Sequence, residues 1–67
     1  MEWKAIDQSL KSRYYKIKHD PSVGFYLYIF ENGKCIHDYL QDTLELAIEC
    51  AWEDFGVRKN AWKKIEE

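Results

Sequence analysis

Hydrophobic and polar residues alternate along the first half of the chain, and apolar residues recur at helical spacing in the second half. The alternation over Arg13–His19 predicts a strand, because successive side chains of a strand point to opposite faces. One face of this strand carries Tyr15 and Ile17, and the other carries Tyr14, Lys16 and Lys18. The next run, Phe25–Phe30, is apolar or aromatic at every position and predicts a strand that is hydrophobic on both faces. The sequence therefore raises the question of what covers the second face.

Turn signals lie on both sides of the Phe25–Phe30 run. Residues 20–24 include Pro21, which cannot donate to a ladder, and Gly24, which tolerates positive φ. On the other side, Asn32-Gly33 favours a two-residue hairpin turn, because both central residues of that turn need positive φ. A third strand then extends from Cys35 to about Leu40.

A two-residue turn sets the register of the hairpin, so that residue 30 faces 35 and residue 29 faces 36. The predicted core face then carries Phe25, Leu27, Ile29, Ile36, Asp38 and Leu40. The predicted second face carries Tyr26, Tyr28, Phe30, Cys35, His37 and Tyr39. Asp38 is out of place on a core face, and we interpret it as the mark of a bulge or of a frayed strand end.

The C-terminal half predicts one helix. Leu44, Ile48, Ala51 and Phe55 form a single stripe with a period of 3.6 residues. Asp42 or Thr43 is the predicted N-cap, and Gly56 is the predicted C-terminal stop.

The predicted fold class is α+β, with a three-stranded antiparallel β-meander and one C-terminal helix packed on one face (β-β-β-α). It forms a single small domain over residues 1–67, with its core at about 13–57 and short terminal segments. Both termini carry a Trp-Lys-x-Ile segment, Trp3–Ile6 and Trp62–Ile65, whose Trp and Ile spacing suits one side of a helical turn. We hypothesise that Trp3 or Trp62 folds over part of the second sheet face.

Composition narrows the class of protein. The chain has 67 residues, is 16% aromatic and carries a net charge of −2, so it has the material for a small core. No apolar run approaches the ~20 residues that span a bilayer, and the N-terminus has no apolar stretch of signal-peptide type. Two cysteines are too few for a disulfide scaffold. We therefore expect a cytoplasmic protein with no membrane partner and no cofactor.

Several short motifs resemble those of a group of small bacterial proteins. These motifs are Gly24-Phe25-Tyr26, the helix start Asp42-Thr43-Leu44-Glu45 with Ala47 and Ala51, the stop Phe55-Gly56, and Trp62. The plan is also similar to that of HicB-type antitoxin domains, in which strands precede a comparable helix start. HicB sequences continue into a further strand and often a DNA-binding tail. The resemblance implies a toxin-neutralising or protein-binding role and carries over no catalytic residue.

Catalytic and metal-binding arrangements find little support in the sequence. Cys35, His37 and Asp38 invite a nucleophile–base–acid interpretation, but Asp38 is predicted to point away from the other two. Cys35, His37 and His19 match no zinc spacing, and a fourth ligand is missing. We therefore predict a protein that is not an enzyme, with neither catalytic nor metal-binding residues.

Two surfaces are candidate partner-binding sites. The first is the aromatic sheet face with its nearby lysines: Tyr26, Tyr28, Phe30, Tyr39, Lys16 and Lys18. The second is an acidic stripe on the outer side of the helix: Glu45, Glu49, Glu53 and Leu46.

These surfaces favour a non-enzymatic protein-binding domain. A toxin-neutralising domain of the immunity or antitoxin kind is one such protein. Two alternatives stay open. One is a binder of single-stranded nucleic acid through the aromatic face, against which the net acidic charge weighs. The other is a self-associating structural domain, with a second copy of the chain covering the aromatic face.

Overall fold

The sheet has five strands and is covered by a helix on one face. The computed structural model describes residues 1–7 and 9–65. Its elements are β1 (Glu2–Ile6), β2 (Arg13–Asp20), β3 (Gly24–Glu31), β4 (Lys34–Gln41), α1 (Leu44–Phe55), a 3-10 turn (Lys59–Ala61) and β5 (Lys63–Ile65). All neighbouring strands are antiparallel, in the order β4-β3-β2-β1-β5. The predicted α+β class is confirmed, but the predicted count of three strands is wrong.

The two strands that the sequence did not predict are formed by the terminal Trp-Lys-x-Ile segments. β1 pairs with β2 along its whole length, and β5 pairs with β1 over three residues. β1 folds back on β2 through a connection at residues 7–12, which lacks a two-residue turn signal such as Asn-Gly. β5 has no local turn onto β1, so its strand conformation depends on an edge offered by the opposite end of the chain. The helical-turn spacing of Trp3 and Ile6 was therefore misleading.

The central hairpins follow the local signals. Asn32 and Gly33 have φ values of 54° and 79°, which confirms the two-residue turn with positive φ at both positions. Tyr15 and Ile17 are fully buried on one face of β2, as the alternation predicts. The turn between β2 and β3 is stabilised by an Asx hydrogen bond, in which the Ser22 N–H donates to Asp20 Oδ1 over 2.9 Å.

A β-bulge in β4 changes the predicted register. Phe30 lies opposite Cys35, but Ile29 lies opposite His37, so Ile36 is an extra residue in the ladder. The bulge shifts every later residue of β4 by one position. As a correction to the regular hairpin, His37 and Tyr39 lie on the core face, whereas Ile36, Asp38 and Leu40 do not. Asp38 thus occupies an outward position that suits a carboxylate.

The helix is capped at both ends by residues that the sequence predicted, Thr43 at the N-terminus and Gly56 at the C-terminus. Of the two predicted N-caps, Thr43 is the one used, and its Oγ1 accepts a hydrogen bond from the Leu46 N–H over 3.1 Å. Gly56 adopts the left-handed conformation with φ 72°. Its N–H donates to the Trp52 carbonyl, and the next residue, Val57, donates to the Ala51 carbonyl.

The core lies between α1 and the facing side of the sheet. Ala47 and Ala51 are fully buried, and these small side chains let the helix backbone approach the sheet closely. The larger predicted stripe residues, Leu44, Ile48 and Phe55, are half-buried and pack around this contact. The fully buried large side chains are Tyr15, Ile17, Leu27 and Ile29.

The bulge register predicts opposite outcomes for two neighbouring substitutions in β4. Tyr39→Ala removes a ring that packs edge-on against Phe55, with centroids 6.1 Å apart, and should lower the free energy of unfolding by about 1–3 kcal/mol. Leu40→Ala trims a side chain that is 48% exposed and should cost less than about 0.5 kcal/mol. Urea denaturation of both variants measures the difference. A larger loss for Leu40→Ala would contradict the bulge.

Two glycines with positive φ should differ in their tolerance of a methyl group. A Cβ at Gly24, where φ is 139°, would lie 2.5 Å from the Gln41 carbonyl oxygen. Gly24→Ala should therefore cost about 2–4 kcal/mol, from backbone strain and a steric clash together. Gly33→Ala is the matched control, because no atom lies within 4 Å of its added Cβ, and it should cost about 1 kcal/mol. Equal losses of stability in thermal denaturation would refute the close approach of β4 to Gly24.

Candidate functional site

The face of the sheet that points away from α1 is called the outer face. The strand register arranges its side chains in three rows that run across the sheet. The first row is Ile65, Glu2, Lys18, Tyr26 and Leu40. The middle row is Lys63, Lys4, Lys16, Tyr28 and Asp38. The third row is Ile6, Tyr14, Phe30 and Cys35.

The outer face brings together most of the aromatic site predicted from the sequence. Tyr26, Tyr28, Phe30, Lys16 and Lys18 all lie on it. The predicted position of Tyr39, the sixth residue of that site, is wrong. The bulge turns Tyr39 to the helix side of the sheet, where its ring packs against Phe55 of α1.

Sequence reasoning missed several residues of the outer face, mainly Tyr14, Lys4, Lys63 and Leu40. Tyr14 was already placed on the face of β2 that carries Lys16, and its ring is a signal that could have been used. Lys4 and Lys63 could not be found in this way, since neither β1 nor β5 was predicted as a strand.

The aromatic rings of the outer face stack on one another. Tyr14 and Phe30 lie 4.8 Å apart with an interplanar angle of 8°, and Tyr26 and Tyr28 lie 5.8 Å apart at 17°. Tyr28 and Phe30 join the two pairs at 6.2 Å. The ammonium group of Lys4 covers Tyr14, with its Nζ 4.6 Å from the ring centroid. The rings therefore form one continuous cluster in which each ring is partly covered by a neighbour.

Lysines lie along one side of this cluster, on β2, β1 and β5, whereas Asp38 of β4 lies opposite Tyr28 on the other side. Lys16 forms a salt bridge with Glu2 over 3.2 Å. Among residues 1–7 and 9–65, no carboxylate lies within salt-bridge distance of Lys4, Lys18 or Lys63. Burial raises the pKa of the Tyr28 hydroxyl, and the nearby Tyr26 and Asp38 add to this effect. The Tyr28 hydroxyl thus stays protonated and remains a hydrogen-bond donor at neutral pH.

The hypothesis that a terminal tryptophan covers the outer face is wrong. Trp3 lies on the helix side of β1, where its ring packs against Phe25 at 6.0 Å. Trp62 is half-buried and packs against the same core. Within the described part of the chain, no segment lies across the outer face, and apolar side chains such as Ile6 stay exposed, in this case by 62%.

The predicted acidic stripe lies exposed on the side of α1 away from the sheet. It consists of Glu45, Glu49, Glu53 and Leu46, and Leu46 is 44% exposed. Residues 42–55 hold five acidic residues and no Lys or Arg. The two opposite surfaces of the molecule therefore differ in charge, with lysines on the outer face and carboxylates on the helix.

The residues considered for catalysis do not come together. Cys35 and His37, which the regular register placed on one face, lie on opposite faces because of the bulge. The Cys35 thiol donates to the His37 carbonyl over 3.3 Å, and the His37 ring packs 6.0 Å from Phe55. His19 stacks on Phe25 at 4.2 Å, far along the sheet from Cys35. Residues 1–7 and 9–65 contain no group of three or more His, Cys, Asp or Glu side chains that could hold a metal ion.

A carboxylate network that the sequence did not indicate lies at the end of β1. Asp7 Oδ2 accepts a hydrogen bond from the Tyr15 hydroxyl over 2.5 Å, and Asp7 Oδ1 accepts from the Ser9 and Leu10 N–H groups. These bonds, led by that of Tyr15, lower the pKa of Asp7 to about 2. Asp7 and Tyr15 also line a cavity of about 480 Å³ beside the end of α1. The network holds the Ser9 and Leu10 backbone against Asp7 and gives the Tyr15 hydroxyl a hydrogen-bond partner.

Comparison with known proteins returns no relative of this chain: no family model, curated protein or solved structure matches it. Among the described residues, no helix has the length and apolar character required to cross a membrane.

The Asp7 network predicts how stability depends on pH. Because the folded-state pKa lies near 2, below the ordinary value of 3.8, ionised Asp7 stabilises the fold above about pH 4, and this stabilisation disappears as the pH falls towards 2. Asp7→Asn should therefore destabilise the protein at pH 7 and make little difference at pH 2. Urea denaturation of both proteins across this range provides the measurement. A constant difference between them would show that the charge of Asp7 is unimportant.

Proposed function

We propose that this chain is a non-catalytic protein-binding domain and that the outer face is its binding surface. One observation carries the proposal: a cluster of stacked aromatic rings occupies the centre of a five-stranded sheet on the face that α1 does not cover. The rings are half-buried, and they are bordered by the exposed side chains of Leu40 and Ile6. A contiguous apolar patch that a single chain leaves uncovered is typical of interaction surfaces. Tyrosine is well suited to such a surface, because it offers a large contact area and a hydroxyl at low entropic cost.

The ring geometry favours a protein over a nucleic acid as the partner. Bases stack on the free faces of aromatic rings in single-strand binders. On this outer face the rings stack on each other instead, and Lys4 lies over the ring of Tyr14. Exposed aliphatic side chains at the borders, such as Leu40 and Ile6, also suit the apolar residues of a protein.

The toxin-neutralising form of the proposal rests on the resemblance to HicB-type antitoxins. In that form, the partner is a toxin whose surface is covered by the aromatic cluster. A self-associating domain is the rival that uses the same face, and a binder of single-stranded nucleic acid is the rival that uses its lysines.

The test is affinity capture from a lysate of the source organism with wild-type protein and three variants. Tyr28→Glu places a charge in the centre of the aromatic cluster, and Leu40→Glu places one at its exposed border. Leu46→Glu makes the same type of change on the exposed side of α1 and is the matched control. We expect a protein that is captured by wild type and by Leu46→Glu, and lost with both outer-face variants, while circular dichroism shows all four proteins folded.

Other outcomes would contradict the proposal. Capture lost only with Leu46→Glu would move the binding site to the acidic stripe. A dimer in light scattering that Leu40→Glu dissociates would identify a second copy as the occupant. Oligonucleotide binding that falls steeply with salt and with Tyr28→Ala would identify the chain as a nucleic-acid binder.

A further inference from the structure

Three lysines lie side by side in the middle row of the outer face. Lys63 of β5 lies directly opposite Lys4 of β1, and Lys4 lies directly opposite Lys16 of β2. We call these three residues the lysine row. Since neighbouring strands are about 4.8 Å apart, the lysine row spans about 10 Å across the sheet.

The lysine row is unfavourable for folding. Like charges directly opposite each other on neighbouring strands destabilise a sheet. One carboxylate partly offsets this repulsion, since Glu2 pairs with Lys16 over 3.2 Å. No carboxylate of residues 1–7 and 9–65 is within salt-bridge distance of Lys4 or Lys63. Among the described residues the repulsion between Lys4 and Lys63 is therefore not offset by a carboxylate. A destabilising feature of this kind is a recognised cost of functional surfaces.

The same two lysines border an apolar groove. Lys4 and Lys63 line a cavity of about 400 Å³ together with Ile6, Ala61 and Ile65, and with Asn60 at its end. Ammonium groups therefore stand next to aliphatic side chains within one concave surface. The contact between Lys4 and the Tyr14 ring makes this groove continuous with the aromatic cluster.

We propose that the lysine row binds carboxylates of an acidic segment of a partner protein, and that apolar side chains of the same segment occupy the groove between Ile6 and Ile65. This inference rests on the proposed function and defines the chemistry of the partner. Carboxylates relieve the repulsion among the three ammonium groups, and aliphatic side chains cover the isoleucines.

The apolar lining of the groove also favours an acidic protein segment over other anionic ligands. Phosphates of a nucleic acid would neutralise the lysines but leave Ile6 and Ile65 without apolar contacts. The acidic stripe of α1 from a second copy is a different occupant with related chemistry. Such a head-to-tail contact would not close into a symmetric dimer, and it would show as association that grows with protein concentration.

The test uses fluorescence anisotropy with a short labelled peptide of alternating Glu and Leu. Peptides of the same length with Gln or Lys in place of Glu are the controls for charge, and an oligothymidylate is the control for phosphate. We expect the Glu–Leu peptide to bind the full chain most tightly of the four, with an affinity that decreases as salt is added.

The matched variants are Lys63→Glu and Lys64→Glu, which change the net charge equally within one strand. Lys63 lies on the outer face, whereas Lys64 lies opposite Trp3 on the other face. Lys63→Glu should weaken binding of the Glu–Leu peptide by about tenfold or more. It should also raise the Tm, because a carboxylate then faces Lys4. Lys64→Glu should leave the affinity within about twofold.

The proposal is overturned if the Glu–Leu peptide binds no more tightly than the Gln–Leu peptide or the oligothymidylate, or if both variants weaken binding equally. Concentration-dependent association that Lys63→Glu abolishes would assign the groove to a second copy and would overturn it too. Capture of a native partner that Leu40→Glu abolishes and Lys63→Glu leaves intact would reject the lysine row alone. If neither variant affects capture, the outer face as a whole is rejected.

Discussion

The burial of four side chains beneath α1 determines the rest of this structure. Tyr15 and Ile17 of β2 and Leu27 and Ile29 of β3 are fully shielded from solvent by a helix that approaches through two alanines. Because side chains of a strand alternate between faces, burying these four forces the residues between them outward. The other tyrosines of β2 and β3 and the lysines of β2 thus lie on the outer face as a direct consequence of how the core forms.

A single helix cannot cover both faces of a five-stranded sheet. In this chain the aliphatic core lies on the side of the sheet that α1 covers. The rings of Tyr39 and His37 lie on the same side and pack against Phe55. The bulge at Ile36 makes that division possible, since it brings Tyr39 inward and leaves Asp38 in solvent. Without the extra residue, β4 would place a carboxylate against the helix and an aromatic ring outside.

Negative and positive charges lie on opposite sides of the molecule, on α1 and on the outer face of the sheet. The helix displays carboxylates on its exposed side, whereas three lysines meet on the opposite side of the sheet. The acidic partner that we propose would therefore be attracted to the outer face and repelled from the helix, which would favour one orientation of approach. In the proposed complex, the aromatic cluster supplies the apolar contact area, and the lysine row supplies the preference for carboxylates.

The sequence by itself determined the features that depend on neighbouring residues. The Asn32-Gly33 turn, the caps at Thr43 and Gly56 and the alternation of β2 each arise from the conformational preferences of a few adjacent residues. Most of the aromatic face was predictable for the same reason. Only the tertiary structure decided the strand character of the two terminal segments, because each needs the edge of another strand: β1 pairs with β2 across residues 7–12, and β5 pairs with β1 from the opposite end of the chain. The bulge and the lysine row also depend on such pairing, since a cross-strand neighbour has no fixed separation in the sequence.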